Sequence, residues 1–172
     1  MNNAWRTLPP PEDLDRLLRA LVAALHETFG PHLISVVLFG SVARGDATSD
    51  SDIDLLIVGD DLPEGQFARG RLFRKAVDRL RPELDRLAEQ HIAPAWTPIL
   101  LTVQQARRHR PLYLDMVEDA RLFYDRNDFF AGVLEGLRRR LRELGARRVF
   151  LPDGSWYWDL KPDYRFGEVF EI

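Results

Sequence analysis

Residues 36–46 read VVLFGSVARGD, and residues 49–55 read SDSDIDL. The first segment passes from a nearly all-apolar run into small residues at Gly40 and Ser41. In the second, Asp52 and Asp54 stand at the start of another apolar run, which continues to Val58. Short apolar runs rich in β-branched residues are typical of strands buried on both faces. The pattern therefore predicts two buried strands on either side of a small, polar connection.

The spacing of the two aspartates predicts a metal site. Residues two apart on a strand point the same way, so Asp52 and Asp54 present their carboxylates on one face while Ile53 packs on the other. Adjacent carboxylates repel each other strongly unless a cation lies between them. Mg²⁺ held by one or two carboxylates together with phosphate oxygens suits such a pair. We therefore expect Asp52 and Asp54 to be metal-binding residues, with Mg²⁺ as the cofactor.

The turn that precedes the aspartates predicts a phosphate site. Gly40 lacks a side chain, which lets a phosphate approach the backbone, and a short helix opened by Ser41 would point free N–H groups at it. Arg44 lies one turn further on and could meet a phosphate as well, although a solvated arginine is an open alternative. Each feature alone also fits an ordinary turn or surface polarity. The combination favours a nucleotide site formed by Gly40, Ser41 and Arg44, because charge beside a buried strand is costly without a ligand.

The remainder of the chain alternates between helical and strand-like patterns. Pro98 places the third strand at the edge of its sheet, since proline cannot donate to the ladder. The predicted elements are a helix from about residue 11 to residue 30, strands at 33–39, 53–58 and 96–102, an interrupted helix at 66–90, two short helices split by Pro111, and a helix at 129–144. They predict an α/β fold, a small mixed β-sheet flanked by helices that carries the site at its edge.

The C-terminal segment is predicted to fold as a hairpin. Residues 149–151 and 156–158 are rich in aromatic and β-branched residues, and LPDG at 151–154 suits a type I turn. We expect a domain that carries the nucleotide site at residues 1–126, beginning with an N-terminal helix. Residues 127–172 are expected to add a C-terminal helix with the aromatic hairpin-like tail packed on it. The alternative is that the tail covers a partner or the nucleotide site, which would bring Asp159 or Lys161 near the phosphates.

Composition excludes several classes of function. The formal net charge is −3 with both signs abundant, which argues against nucleic acid as a general partner. There is no cysteine, so disulfides and thiolate chemistry are excluded. No stretch has the length and apolarity of a signal peptide or a membrane span, so we expect a cytoplasmic protein without a membrane partner. A homo-oligomer is an open alternative.

The Gly-Ser motif at residues 40–41 and the Asp-x-Asp motif at 52–54, ten residues later, resemble the signature of minimal nucleotidyltransferases of the DNA polymerase β superfamily. The likeness is strongest to stand-alone prokaryotic domains that are antitoxin partners of HEPN toxins, and a weaker likeness covers residues 111–126. This resemblance implies a polymerase-β-like fold in which Gly40 and Ser41 hold a nucleoside triphosphate, ATP first among them. It implies that Asp52 and Asp54 are catalytic residues that bind the metals, and that AMP passes to a hydroxyl, plausibly on a HEPN-type partner protein.

One departure from the family pattern bears on catalysis. The family takes a third carboxylate from a later strand, yet residues 91–102 contain no Asp or Glu. Five acids elsewhere are alternative ligands, namely Glu83, Asp85, Glu89, Asp159 and Asp163. The leading function is Mg²⁺-dependent nucleotidyl transfer, and the main alternative is a non-catalytic, antitoxin-like interaction module that retains the fold. A third hypothesis is an RNA-binding accessory domain that uses the arginines at 138–148.

Overall fold

The structure, a computed structural model, describes residues 5–172. Its helices and strands follow the predicted order with one addition, the strand β4. In chain order the elements are α1 (Pro11–Phe29), β1 (Leu33–Phe39), α2 (Gly40–Arg44), β2 (Ile53–Gly59), α3 (Gln66–Asp78), α4 (Arg81–Glu89), β3 (Trp96–Thr102), α5 (Val103–Ala106), α6 (Tyr113–Asp119), β4 (Arg121–Asp125), α7 (Phe129–Glu143), β5 (Arg147–Phe150) and β6 (Trp156–Asp159).

The main sheet is mixed, as the sequence predicts. Its four strands lie in the order β3-β2-β1-β4, with β1 antiparallel to both of its neighbours and β2 parallel to β3. The edge position expected for β3 from Pro98 is confirmed. The predicted site residues lie where β1 ends and β2 begins. The site therefore lies at one end of the two central strands and not along an edge strand.

Two hydrophobic cores cover the sheet, which explains why its central strands are apolar at nearly every position. Along β1, Val36 and Leu38 join the core beneath α1, α3 and α4, whereas Val37 and Phe39 join the core beneath α6 and α7. Side chains of a strand alternate between faces, so a strand covered on both sides must be apolar throughout. This double burial holds the ends of β1 and β2 rigidly where the site lies.

Two features differ from the expectations. The helical stretch at 66–90 breaks at Arg79 and Leu80, just before Pro82, while Gly70 continues within α3. The strand β4 was not expected from the sequence. It completes the sheet beside β1, and Asp125 at its end accepts hydrogen bonds from Ser35 Oγ at 2.6 Å and from the backbone N–H of Phe130 at 2.9 Å. These bonds tie the start of α7 to the sheet.

The C-terminal segment contains the expected hairpin, in which β5 pairs antiparallel with β6. Within the connecting turn, the backbone N–H of Gly154 donates to the carbonyl of Leu151 at 3.0 Å. Trp158 packs against the core beneath α6 and α7, and Arg148 pairs with Asp119 at 3.0 Å. The division of the chain at residues 126 and 127 stays a prediction. In the described part of the chain, no helix has the length and apolarity to cross a membrane.

Candidate functional site

The fold brings three of the predicted site residues together. Gly40 begins α2 directly after β1, and Asp54 is the register partner of Phe39, the last residue of β1. Asp52 lies two residues earlier, just before β2, and is exposed, whereas Asp54 is half-buried. The phosphate turn and the carboxylate pair predicted from the sequence therefore adjoin across the β1–β2 ladder.

Gly40 is required at its position for two reasons. Its φ is +71°, in the left-handed region that side chains other than glycine rarely adopt. A Cβ built on Gly40 would also overlap Oδ2 of Asp54 and lie 3.0 Å from its Cγ. The absent side chain thus makes room for the carboxylate of Asp54 as well as for the backbone to approach a ligand.

The carboxylate pair has the electrostatics of a cation site. Burial raises the pKa of Asp54 above its ordinary value, the neighbouring charge of Asp52 raises it further, and the positive charge of Arg44 opposes the rise. A cation bound between Asp52 and Asp54 would offset their repulsion and favour the charged form of both carboxylates. Carboxylate oxygens are the ligands that Mg²⁺ prefers. The donor set therefore fits a divalent cation, which Asp52 and Asp54 would hold.

Thr97 lies beside the Asp52/Asp54 pair, at the position where a third ligand to the same cation is expected. In the parallel register of β2 and β3, Thr97 lies directly beside Asp54. Its Oγ1 donates a long hydrogen bond of 3.4 Å to Oδ2 of Asp52. Register partners in neighbouring strands face the same side of a sheet, so a hydroxyl occupies this position in place of a carboxylate.

None of the five alternative acids completes the site. Among residues 5–172, no group of three or more His, Cys, Asp or Glu side chains could hold a metal ion. Asp159 pairs with Arg147 at 3.4 Å, and Asp163 pairs with Lys161 at 2.8 Å. Glu83, Asp85 and Glu89 all lie on α4. The shortage of carboxylates inferred from the sequence therefore persists in three dimensions.

Arg44 contacts the C-terminal hairpin through Trp156, whereas the sequence suggested Asp159 or Lys161 as the tail residues that approach the phosphates. Its guanidinium donates to Oδ2 of Asp46 at 3.1 Å and lies 5.0 Å from the ring centroid of Trp156. Gly40 and Arg44 line a small cavity of about 130 Å³ together with Asp115 and Asp119 of α6. Sequence reasoning missed Asp115, Asp119 and Trp156 at the site. They are distant in sequence from the Gly-Ser and Asp-x-Asp motifs, and neither the weaker family likeness at 111–126 nor the aromatic pattern at 156–158 indicates a contact with Arg44.

The arginine cluster that suggested RNA binding is largely neutralised within the chain. Arg138 and Arg142 both pair with Glu135, and Arg140 pairs with Glu143. Arg147 pairs with Asp159, and Arg148 pairs with both Asp119 and Asp115. Most of these charges are therefore already engaged by carboxylates on the same surface.

Comparison with known proteins identifies the class of protein that this fold and site define. The family model of the nucleotidyltransferase domain matches residues 18–123, and the chain belongs to this family. The resemblance inferred from the Gly-Ser and Asp-x-Asp motifs is thereby confirmed. The match includes most of α1 and nearly all of the main sheet, and it ends before α7 and the hairpin.

The chain is also similar to individual known proteins. The chain is 29% identical over 133 residues to an inferred protein adenylyltransferase of Methanocaldococcus jannaschii, covering 76% of this chain and 85% of that protein. It is 40% identical over 52 residues to protein adenylyltransferase MntA of Thermococcus cleftensis, covering 30% of this chain and 50% of that protein. A crystal structure of a toxin–antitoxin with AMP-PNP is similar with a TM-score of 0.46 and 18% identity, covering 74% of this chain and 92% of that one.

Proposed function

We propose that this chain binds a Mg²⁺–nucleoside triphosphate complex, with ATP as the nucleotide, and transfers the adenylyl group to a hydroxyl on a partner protein. The observation that carries the proposal is the contact between the Gly40 turn and the carboxylate of Asp54. That contact joins the phosphate turn and the metal pair into one site at the end of the central strands. The relatives named as protein adenylyltransferases support the choice of nucleotide and of a protein acceptor.

Each site residue has a defined role in this proposal. Gly40 and Ser41 bind the triphosphate through their backbone, and Arg44 neutralises a phosphate oxygen. Asp52 and Asp54 hold the cation, which when bound lowers the negative charge on the reacting phosphate. The acceptor oxygen forms a bond to the α-phosphorus, the bond between the α-phosphorus and its bridging oxygen breaks, and pyrophosphate leaves. The proton of the acceptor hydroxyl passes to water.

We propose that the protein acts in the cytoplasm on a protein partner of the HEPN type. This partner rests on the resemblance of the Gly-Ser and Asp-x-Asp motifs to antitoxins of that group. A nucleic-acid substrate is disfavoured, because the arginines of α7 and β5 are largely paired with carboxylates. An association of identical chains stays a prediction.

The experiment combines binding with transfer. Isothermal calorimetry with Mg²⁺–ATP is carried out on wild type, Asp52→Asn and Asp54→Asn. Incubation with α-labelled ATP and the protein encoded beside this one then tests for label on the acceptor. We expect micromolar to millimolar binding by wild type, none by either variant, and label transfer that requires both aspartates. Unchanged affinity in both variants would overturn the assignment of the site.

A second function is favoured by one specific observation. Thr97 lies beside Asp54, where a third carboxylate would complete the ligands of the metal site, and two-metal transfer needs ligands for both ions. A chain with this site could bind nucleotide and act by covering its partner without transferring anything. Tight association with the partner, with nucleotide binding but no label transfer over hours, distinguishes this antitoxin-like interaction module from the enzyme.

A further inference from the structure

Trp156 lies between the nucleotide site and the C-terminal hairpin. Two guanidinium groups lie over its ring, that of Arg44 at 5.0 Å from the centroid and that of Arg148 at 5.2 Å. Both distances fall within the roughly 6 Å at which a cation is attracted to the face of an aromatic ring. Trp156 is half-buried. It lies beyond residues 18–123, so the family match does not include it.

The position of Trp156 is set by α6 and not by α2. Its indole N–H donates to Oδ1 of Asp115 at 3.3 Å, and the indole N–H of Trp158 donates to the same oxygen at 3.2 Å. Arg148 is anchored in turn by Asp119 at 3.0 Å. The ring that faces Arg44 is therefore held by bonds that do not involve Arg44.

Arg44 needs such support to act on a phosphate. A long arginine side chain at the end of a five-residue helix samples many rotamers, and ordering it on binding lowers affinity. Within the chain its other partner is Asp46, an exposed residue of the following loop. A ring already fixed against the guanidinium restricts it before the ligand arrives, so less ordering remains for the binding step. Arg44 also lines the same small cavity as Gly40, the first residue of the phosphate turn.

We propose that Trp156 is a positioning residue for the nucleotide site, holding Arg44 over the Gly40 turn where it meets a phosphate of the triphosphate. The inference rests on the proposed function and deepens it, because it makes the C-terminal hairpin part of the nucleotide site. The hairpin supplies no group that touches the ligand. It acts on affinity through the guanidinium of Arg44.

The test is a double-mutant cycle on Mg²⁺–ATP affinity measured by calorimetry. The variants are Trp156→Leu, Arg44→Ala and the two together, with Trp156→Phe as the conservative variant that keeps an aromatic face. The matched control is Tyr157→Leu, because Tyr157 is the neighbouring aromatic residue, exposed on the other face of the hairpin. Thermal unfolding of every variant reports whether the fold is kept.

We expect Trp156→Leu to weaken Mg²⁺–ATP binding about three- to fivefold and Arg44→Ala about tenfold. The double variant should bind no more weakly than Arg44→Ala, since the tryptophan acts through the arginine. Tyr157→Leu should stay within about twofold of wild type. Trp156→Phe keeps an aromatic face but loses the bond to Asp115, so its affinity should lie between those of wild type and Trp156→Leu.

Additive losses in the double variant would overturn the proposal, as would wild-type affinity in a folded Trp156→Leu. If Trp156→Leu unfolds, a Trp156→Phe variant that binds as weakly as Arg44→Ala would equally overturn it. Failure of the proposed function has a different signature. In that case Asp52→Asn and Asp54→Asn bind Mg²⁺–ATP as wild type does, whatever the outcome of the cycle.

Discussion

The carboxylate of Asp54 fills the space that a side chain at Gly40 would occupy. A Cβ on Gly40 would overlap Oδ2 of Asp54 and lie 3.0 Å from its Cγ, with 3.3 Å to its Cβ. The contact spans the antiparallel ladder between the end of β1 and the start of β2. It makes Gly40, in the proposed phosphate turn, and Asp54, in the proposed metal pair, depend on each other.

The Gly40–Asp54 contact predicts that Gly40→Ala abolishes Mg²⁺–ATP binding. The new methyl group must displace the carboxylate of Asp54, and the positive φ adds about 1–2 kcal/mol of strain. Gly45→Ala is the matched control, since Gly45 has a φ of +84° and a Cβ added there would have nothing within 4 Å. Calorimetry and thermal unfolding should find both variants destabilised and only Gly40→Ala unable to bind. Equal binding by the two variants would contradict this explanation.

Asp54→Asn is predicted to make the metal-free protein more resistant to denaturation at neutral pH. The folded state raises the pKa of Asp54, so the stability that this group contributes is present below its ordinary pKa and is lost as pH rises through the raised pKa. The free energy of unfolding of wild type relative to Asp54→Asn should therefore fall as pH rises above about 4, the ordinary pKa of an aspartate. Urea denaturation in the presence of EDTA measures it. A difference that stays constant or grows with pH would argue against the burial and repulsion described for Asp54.

Thr97→Asp is predicted to increase the thermal stabilisation of the protein by Mg²⁺. The variant places a third carboxylate beside Asp54, where Thr97 now donates to Asp52. Without metal the added repulsion should lower the melting temperature, and Mg²⁺ should raise it by about 2–4 °C more than in wild type for each 1 kcal/mol gained. Thr97→Asn has a similar size without the charge and serves as the control.

The same Thr97 variants distinguish the two candidate functions. If a missing metal ligand limits catalysis, pyrophosphate release with the partner present should be faster in Thr97→Asp than in wild type. An unaltered rate together with a stronger response to Mg²⁺ would mean that metal binding is not what limits transfer.

Trp158→Ala is predicted to lower the free energy of unfolding by about 2–3 kcal/mol, because the ring packs on the core beneath α6 and α7. Tyr157→Ala removes an exposed aromatic residue from the adjacent position and should change it by less than about 0.5 kcal/mol. Urea denaturation of both variants tests the difference. Equal stability of the two variants would mean that the hairpin does not pack on the domain. A truncation that removes the whole hairpin should end the chain at Gly145, because β5 begins at Arg147.

Much of the fold was predictable because its signals are local. The runs at 33–39 and 96–102 coincide with β1 and β3, since a strand covered on both faces must be apolar and proline marks an edge. The strand β4 could not be recognised in the same way. Its five residues begin with Arg121 and end with Asp125, and they form a strand because β1 offers them a free edge.

The features of the candidate site also divide into those that local sequence patterns predict and those that only the fold brings together. The sequence by itself determined the Gly-Ser turn, the Asp52/Asp54 pair and the absence of a carboxylate from residues 91–102, because spacing along one strand specifies which side chains share a face. Only the tertiary structure decided that Asp54 packs into the space above Gly40, that Thr97 stands beside the pair, and that Trp156 faces Arg44. Each of these contacts joins residues far apart in the chain. Their geometry depends on strand register and on how the hairpin packs against α6, which no local pattern of residues encodes.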